Sequence, residues 1–115
     1  MRTSVTKCFE FEAAHRLPWH SGKCSRAHGH SYRLEVTVDG RVGDQGVVID
    51  FADLGAVVRR DVIERLDHRD LNELMPNPTA ELIAQDIWER LDGAGLQVAR
   101  LRLWETSDAS VELTR

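Results

Sequence analysis

The stretch His28-Gly29-His30-Ser31-Tyr32-Arg33-Leu34-Glu35-Val36-Thr37-Val38-Asp39 alternates strictly. His28, His30, Tyr32, Leu34, Val36 and Val38 share one parity, whereas Ser31, Arg33, Glu35, Thr37 and Asp39 share the other. That is the period-2 signature of a half-buried strand. Upstream, Arg2 to Ala13 repeats it, with Val5, Phe9, Phe11 and Ala13 set against Thr6, Glu10 and Glu12. Cys8, beside Phe9, reads as a small packed side chain. Between the two strands, Arg16 to Ala27 holds Pro18, Ser21, Gly22 and Ser25 among basic residues with no period, which predicts a long loop of the kind that carries function.

Downstream, Asp39, Gly40, Gly43, Asp44 and Gly46 mark turns, and Val47, Val48 and Ile49 read as a short extended piece. Asp50 can cap a helix over 51–66, because Leu54, Val58, Val62 and Leu66 recur at i, i+4 spacing. Pro76 and Pro78 break the chain. Thr79 then precedes a second apolar stripe, Ala80, Ile83, Ala84, Ile87, Trp88 and Leu91, which ends near Gly93 and Gly95. Val98 to Glu105 and Ser110 to Leu113 read as two strands around a turn over Thr106 to Ala109. The order ββααββ predicts an α+β fold, an antiparallel sheet with two helices packed on one face.

The chain has 115 residues, so one domain over 1–115 is expected. At this size a monomer buries roughly 65% of its unfolded surface, which makes assembly a natural way to complete the burial. Fifteen basic against nineteen acidic side chains give a net charge of −4, and neither sign forms a run. The attraction that nucleic-acid binding uses is therefore missing. No apolar stretch reaches membrane-span length, and Met1 to Glu10 carries no signal-peptide core. Two cysteines are too few for a disulfide scaffold. A cytoplasmic protein is the expectation.

His28 and His30, two apart on a strand, project from one face about 7 Å apart along the backbone. His15 ends the preceding strand, and antiparallel pairing can bring it alongside. Three neutral imidazoles plus an open position is a catalytic zinc arrangement. Cys24 lies four residues before His28, between Lys23 and Arg26. Flanking cations favour a thiolate base or nucleophile near the metal; a fourth zinc ligand and an inert thiol are the other readings. Asp67 and His68 follow the first helix and suit a general acid/base pair, or else helix-end capping and dipole compensation. Glu105 shares a face with Leu101 and Leu103 and needs a partner there. A core arginine would serve, and so would two adjacent N–H donors of a guanine-like ring.

Taken in order, Phe11-Glu12-Ala13-Ala14-His15-Arg16-Leu17, Cys24-x-x-x-His28-Gly29-His30, Asp50-Phe51, Leu66-Asp67-His68-x-x-Leu71-Asn72, Pro78-Thr79-Ala80-Glu81 and Trp104-Glu105-Thr106 closely resemble the 6-pyruvoyl tetrahydropterin synthase family, including its bacterial 6-carboxy-tetrahydropterin synthase branch. The resemblance implies the T-fold, in which sheets of several protomers close into a β-barrel, commonly as hexamers built from two trimers. It implies Zn2+ on His15, His28 and His30, Cys24 as general base, Asp67 and His68 as the rest of the relay, and Glu105 as the pterin-ring anchor. The implied reaction converts 7,8-dihydroneopterin triphosphate to 6-carboxy-5,6,7,8-tetrahydropterin on the route to queuosine. Alternatives are 6-pyruvoyl-tetrahydropterin synthase proper and a zinc-containing pterin-binding oligomer without turnover. One departure is Leu82, where the family has Asn. Cys24 matches the cysteine-type members and not those with glutamate in its place. For the triphosphate, Arg16, Lys23 and Arg26 are candidates by charge alone.

Overall fold

The computed structural model describes residues 1–115. Strands β1 (Thr3–His15) and β2 (His28–Gly40) pair antiparallel along their whole length, from Thr3 opposite Gly40 to His15 opposite His28. Helix α1 (Phe51–Val58) runs through a π-turn (Arg59–Ile63) into α2 (Glu64–Leu66). A two-residue strand β3 (Arg69–Asp70) follows, then a 3-10 turn (Leu71–Glu73) and helix α3 (Ala80–Gly93). Strands β4 (Val98–Thr106) and β5 (Ala109–Thr114) complete a sheet of order β3-β1-β2-β4-β5. The sheet is open. β3 pairs with β1 only at Ala13 and Ala14, so the outer edge of β1 from Thr3 to Phe11 and that of β5 have no neighbouring strand.

The two strand parities become the two faces of the sheet. Phe9, Phe11, Ala13, Tyr32, Leu34, Val36, Val38, Leu101 and Leu103 are buried under the helices, and the expected α+β architecture with helices on one face is what the chain adopts. Cys8 departs from expectation. It shares parity with Glu10 and Glu12 and so lies on the uncovered face, exposed, with Arg33 donating to its sulfur at 3.6 Å.

The helix over 51–66 carries a feature that its spacing explains. In an α-helix each step of four residues overshoots a turn by about 40°, so Leu54, Val58, Val62 and Leu66 would drift about 120° around the axis. The π-turn, closed by the Glu64 N–H donating to the Arg59 carbonyl, is wider and takes up that drift. All four side chains are fully buried.

Asp50 and Thr79 cap the helices as expected, accepting from the Ala52 and Leu82 amides. Val47 to Ile49, expected as an extended piece, forms no strand. The Gly43 N–H donates to the Val47 carbonyl in a turn that contains Gly46 at φ +82°, and no strand is placed to pair with it. β3 and the two 3-10 turns, over Lys23–Ser25 and Leu71–Glu73, were not foreseen, because pieces this short have no readable period.

α3 ends in a Schellman motif. Leu96 N–H donates to the Leu91 carbonyl and Gly95 N–H to the Asp92 carbonyl, with Gly95 at φ +90°. A Cβ on Gly95 would meet nothing within 4 Å, so any cost of adding one is conformational. Gly95→Ala should therefore lower the unfolding free energy by about 1 kcal/mol, read as a lower urea midpoint at unchanged slope. An unmoved midpoint would contradict the motif.

Candidate metal centre and active site

β1 and β2 bring their histidines together at one end of the core. His15 stands opposite His28, and His30 opposite Ala13 on the same face. The three rings form a triangle with centroids 4.5, 4.9 and 5.0 Å apart. Two of them are oriented from outside the triangle. His15 Nδ1 lies 2.8 Å from the Pro78 carbonyl, and His28 Nδ1 lies 2.7 Å from the Arg26 carbonyl. A carbonyl can only accept, so each Nδ1 carries the proton and each Nε2 presents a lone pair.

Those two Nε2 atoms face each other at 3.0 Å. Two lone pairs at that distance need a cation or a shared proton between them. His30 Nε2 is buried without a hydrogen-bond partner, 3.1 Å from Glu105 Oε1 but misaligned with it. Glu105 Oε1 is also 3.2 Å from His15 Nε2. The ligand atoms of His15, His28, His30 and Glu105 all lie within 4.8 Å of one another. Three convergent imidazoles, two already oriented by backbone carbonyls, fit a zinc ion in donor type and in outer support.

Burial and the Glu105 carboxylate pull against each other in this cluster. Burial opposes protonation of His15, yet the bond to Glu105, the Pro78 carbonyl and the carboxylate's charge outweigh it, so its pKa lies above the usual histidine value. At His30 burial dominates, and repulsion from His15 and His28 adds to it against the pull of Glu105, so its pKa falls. When His15 is protonated, its Nε2–H can donate to Glu105, which holds that carboxyl below the ordinary carboxylate range against the effect of burial. Below the rings, Tyr32 stacks on Phe11 at 4.9 Å, and its hydroxyl is buried with no partner. Burial, helped by Glu105, pushes that phenol well above its ordinary pKa.

Asp67 and His68 are fixed to β1 by two backbone bonds. The Glu12 N–H donates to Asp67 Oδ1 at 2.9 Å, and the His68 N–H donates to the Glu12 carbonyl at 2.6 Å. His68 sits at φ +59°, the left-handed region that only this non-glycine residue occupies, a conformation that costs about 1–2 kcal/mol and persists where the surroundings impose it. Its Nδ1 lies 3.0 Å from Asp67 Oδ1. The Glu12 amide, and then His68, keep the Asp67 carboxyl below its usual pKa. Asp67 thus stands at the C-cap of α2, its N–H donating to the Ile63 carbonyl at 2.8 Å, while its side chain serves β1 and His68. The exposed His68 ring and His30 line one cleft of about 420 Å³ with Glu12 and Ser31.

Cys24 sits in the 3-10 turn Lys23–Ser25, half-buried, with its carbonyl accepting from Leu17 N–H at 2.8 Å. It stands outside the four-residue ligand group. Leu82 is 41% exposed, and it is the Pro78 carbonyl, ahead of α3, that meets the site through its bond with His15. Three supporting residues escaped the sequence reading. Pro78 and Arg26 act through backbone carbonyls, which no side-chain pattern reveals. Asn72 brackets the residue after His15, accepting from Arg16 N–H at 2.8 Å and donating to the Arg16 carbonyl at 3.0 Å; its place in the quoted Leu71-Asn72 motif was the one available signal.

Comparison with known proteins gives a consistent result. A model of the family described as 6-pyruvoyl tetrahydropterin synthase matches residues 4–115. A Pyrococcus furiosus protein named dihydroneopterin monophosphate aldolase is 39% identical, over 98% of this chain and 98% of its own. A Haemophilus influenzae protein named 6-carboxy-5,6,7,8-tetrahydropterin synthase is 33% identical, over 94% of this chain and 96% of its own. The solved Caenorhabditis elegans 6-pyruvoyl tetrahydropterin synthase superposes with a TM-score of 0.88 at 24% identity, covering 100% of this chain and 96% of that one, so the open sheet with its helices on one face is the T-fold protomer expected. The chain belongs to the 6-pyruvoyl tetrahydropterin synthase family.

Proposed function

We propose that the protein is a zinc-dependent lyase that converts 7,8-dihydroneopterin triphosphate to 6-carboxy-5,6,7,8-tetrahydropterin, supplying queuosine and related 7-deazapurines. The observation that carries this reading is the facing pair of His15 and His28 Nε2 atoms, both with Nδ1 already committed to a carbonyl. His15, His28 and His30 would hold the ion. Zinc held there supplies Lewis acidity, which lowers the pKa of C–H groups beside the substrate's side-chain oxygens.

The remaining chemistry belongs to the chain. Cys24, outside the ligand group, is free to take a proton from the side chain as general base. His68, oriented by Asp67 at 3.0 Å, returns or removes protons from the cleft side. Glu105 offers two oxygens to two adjacent ring N–H donors, a pairing that fixes the ring in one orientation. Triphosphate leaves, two side-chain carbons depart as acetaldehyde, one water is consumed, and oxidation of the remaining side-chain carbon is balanced by reduction of the ring. No redox cofactor takes part.

Assembly belongs to the same proposal. The free outer edges of β1 and β5 can pair between copies, and closure of the open sheets into a shared barrel would give a homo-oligomer, a hexamer of two trimers in the reading above.

A second reading comes from one relative. The Pyrococcus furiosus aldolase aligns over 116 positions with 98% of this 115-residue chain, almost without gaps, and so does an Archaeoglobus fulgidus protein provisionally named as a 6-carboxy-tetrahydropterin synthase, at 41% over 105 positions and 91% of this chain. The Haemophilus influenzae relative needs 135 positions for 94% of it and so carries insertions that this chain lacks. On that reading the same base and metal would split the side chain of dihydroneopterin monophosphate into a hydroxymethyl-dihydropterin and glycolaldehyde phosphate. Incubation of the zinc-loaded protein with each phosphate ester, with mass analysis of the products, decides. 6-Carboxy-tetrahydropterin and acetaldehyde from the triphosphate are expected; a retained three-carbon side chain would instead mark a 6-pyruvoyl synthase, and no product from either ester a binding protein.

A further inference from the structure

The loop that carries Cys24 is almost free of the rest of the fold. Its two ends are fixed, Arg16 by the Asn72 amide and Arg26 by the bond between its carbonyl and His28 Nδ1. Between them the hydrogen bonds run from loop to loop. Leu17 N–H donates to the Cys24 carbonyl, His20 N–H to the Leu17 carbonyl and Ser25 N–H to the Gly22 carbonyl. One bond alone ties residues 17–25 to another part of the chain: Trp19 Nε1–H donates to Asn77 Oδ1 at 2.8 Å.

Both partners suit a tether. Trp19 is 63% exposed, so burial does not account for an indole at that position. Its ring N–H can only donate, and only two rotatable bonds separate it from the backbone. Asn77 is half-buried between two prolines. Pro76 has its φ locked by its ring, Pro78 restricts the backbone of the residue before it, and the Asn77 carbonyl accepts from Thr79 N–H at 2.9 Å. A stiff post thus meets a stiff arm. Two residues before that arm, Leu17 holds the Cys24 carbonyl at 2.8 Å, so the place of the thiol is set by the loop's backbone and, beyond it, by this tie. We propose that Trp19 and Asn77 are positioning residues that hold the Cys24 thiol within reach of the substrate. The inference rests on the reading of Cys24 as general base. A base works within hydrogen-bond reach of the proton it takes, and a misplacement of about 1 Å can cost about 100-fold.

The test compares single-turnover rates with the ester that the protein turns over, zinc content and affinity for unsubstituted pterin. Trp19→Phe keeps a ring and removes the donor. It should slow the chemical step by about 10-fold at unchanged zinc content and pterin affinity, and Asn77→Leu should do the same. The two together should cost no more than either alone, because both break one bond. Asn77→Asp, which keeps an acceptor oxygen, should recover most of the rate. The deciding comparison is made in the Cys24→Ala background, where the tie has no thiol to place: there Trp19→Phe should change the residual rate by less than about twofold. A wild-type rate in Trp19→Phe, or an equal loss in both backgrounds, overturns the positioning role while Cys24 stays the base. Near-normal turnover by Cys24→Ala removes the base, and the role of the tie with it, as does a wild type that turns over neither ester.

Discussion

Replacing His28 with alanine is expected to reduce zinc affinity by more than about 100-fold and to leave no measurable turnover. Even supporting residues around a metal commonly cost 10–100-fold, and His28 is one of three convergent imidazoles with its ring already oriented by the Arg26 carbonyl. The wild type, purified and dialysed against buffer, should retain about one zinc per chain by elemental analysis, and the variant almost none. The fold should persist, because His28 is only half-buried at the margin of the core and the buried residues of β1, β2 and β4 are untouched. Full metal content in a folded His28→Ala protein would remove the three-histidine assignment and, with it, the lyase.

The Cys24→Ala variant is expected to separate metal binding from chemistry. A general base contributes typically 100- to 10,000-fold, so the chemical step should slow by about 100-fold or more in single-turnover measurements. Zinc content and affinity for the pterin ring should stay near wild type, since Cys24 lies outside the ligand group. Parallel loss of zinc would assign the thiol to the metal instead. Near-normal turnover with the fold intact would leave Cys24 without a catalytic role and strengthen the reading of a binding protein.

Much of this architecture was legible because two periodicities dominate the chain. The parity of His28 to Asp39 predicts both the buried face of β2 and the common direction of its two histidines, and the match of Val5, Phe9, Phe11 and Ala13 predicts the strand that carries His15. The two apolar stripes gave the helices. What could not be read is what depends on backbone groups or on non-local pairing. The orientation of His15 by Pro78 crosses 63 positions, and the fixing of Asp67 by the Glu12 amide crosses 55. Neither leaves a pattern in side-chain types. Cys8 shows the opposite failure: its parity with Glu10 and Glu12 was in plain view, but the general tendency of cysteine to be buried outweighed it. Glu105 was legible as a residue in need of a partner, while its aim at the histidines depends on a bulge that only the register of β4 with β5 reveals.

The π-turn at Arg59–Ile63 has a further consequence, because it sets the phase of everything that follows in that helix. One residue added to or removed from a helix turns its downstream end by about 100° and shifts it by about 1.5 Å. Asp67 and His68 come directly after α2 and reach Glu12 through bonds of 2.9 and 2.6 Å, tolerances far smaller than that displacement. The wide turn therefore works as a screw adjustment between a helix anchored by its apolar stripe and a dipeptide that must meet β1 at a fixed angle. Closing the same residues as ordinary α-helical turns, with none removed, would keep Leu54 and Val58 in the core and swing Asp67 and His68 off the strand that holds them.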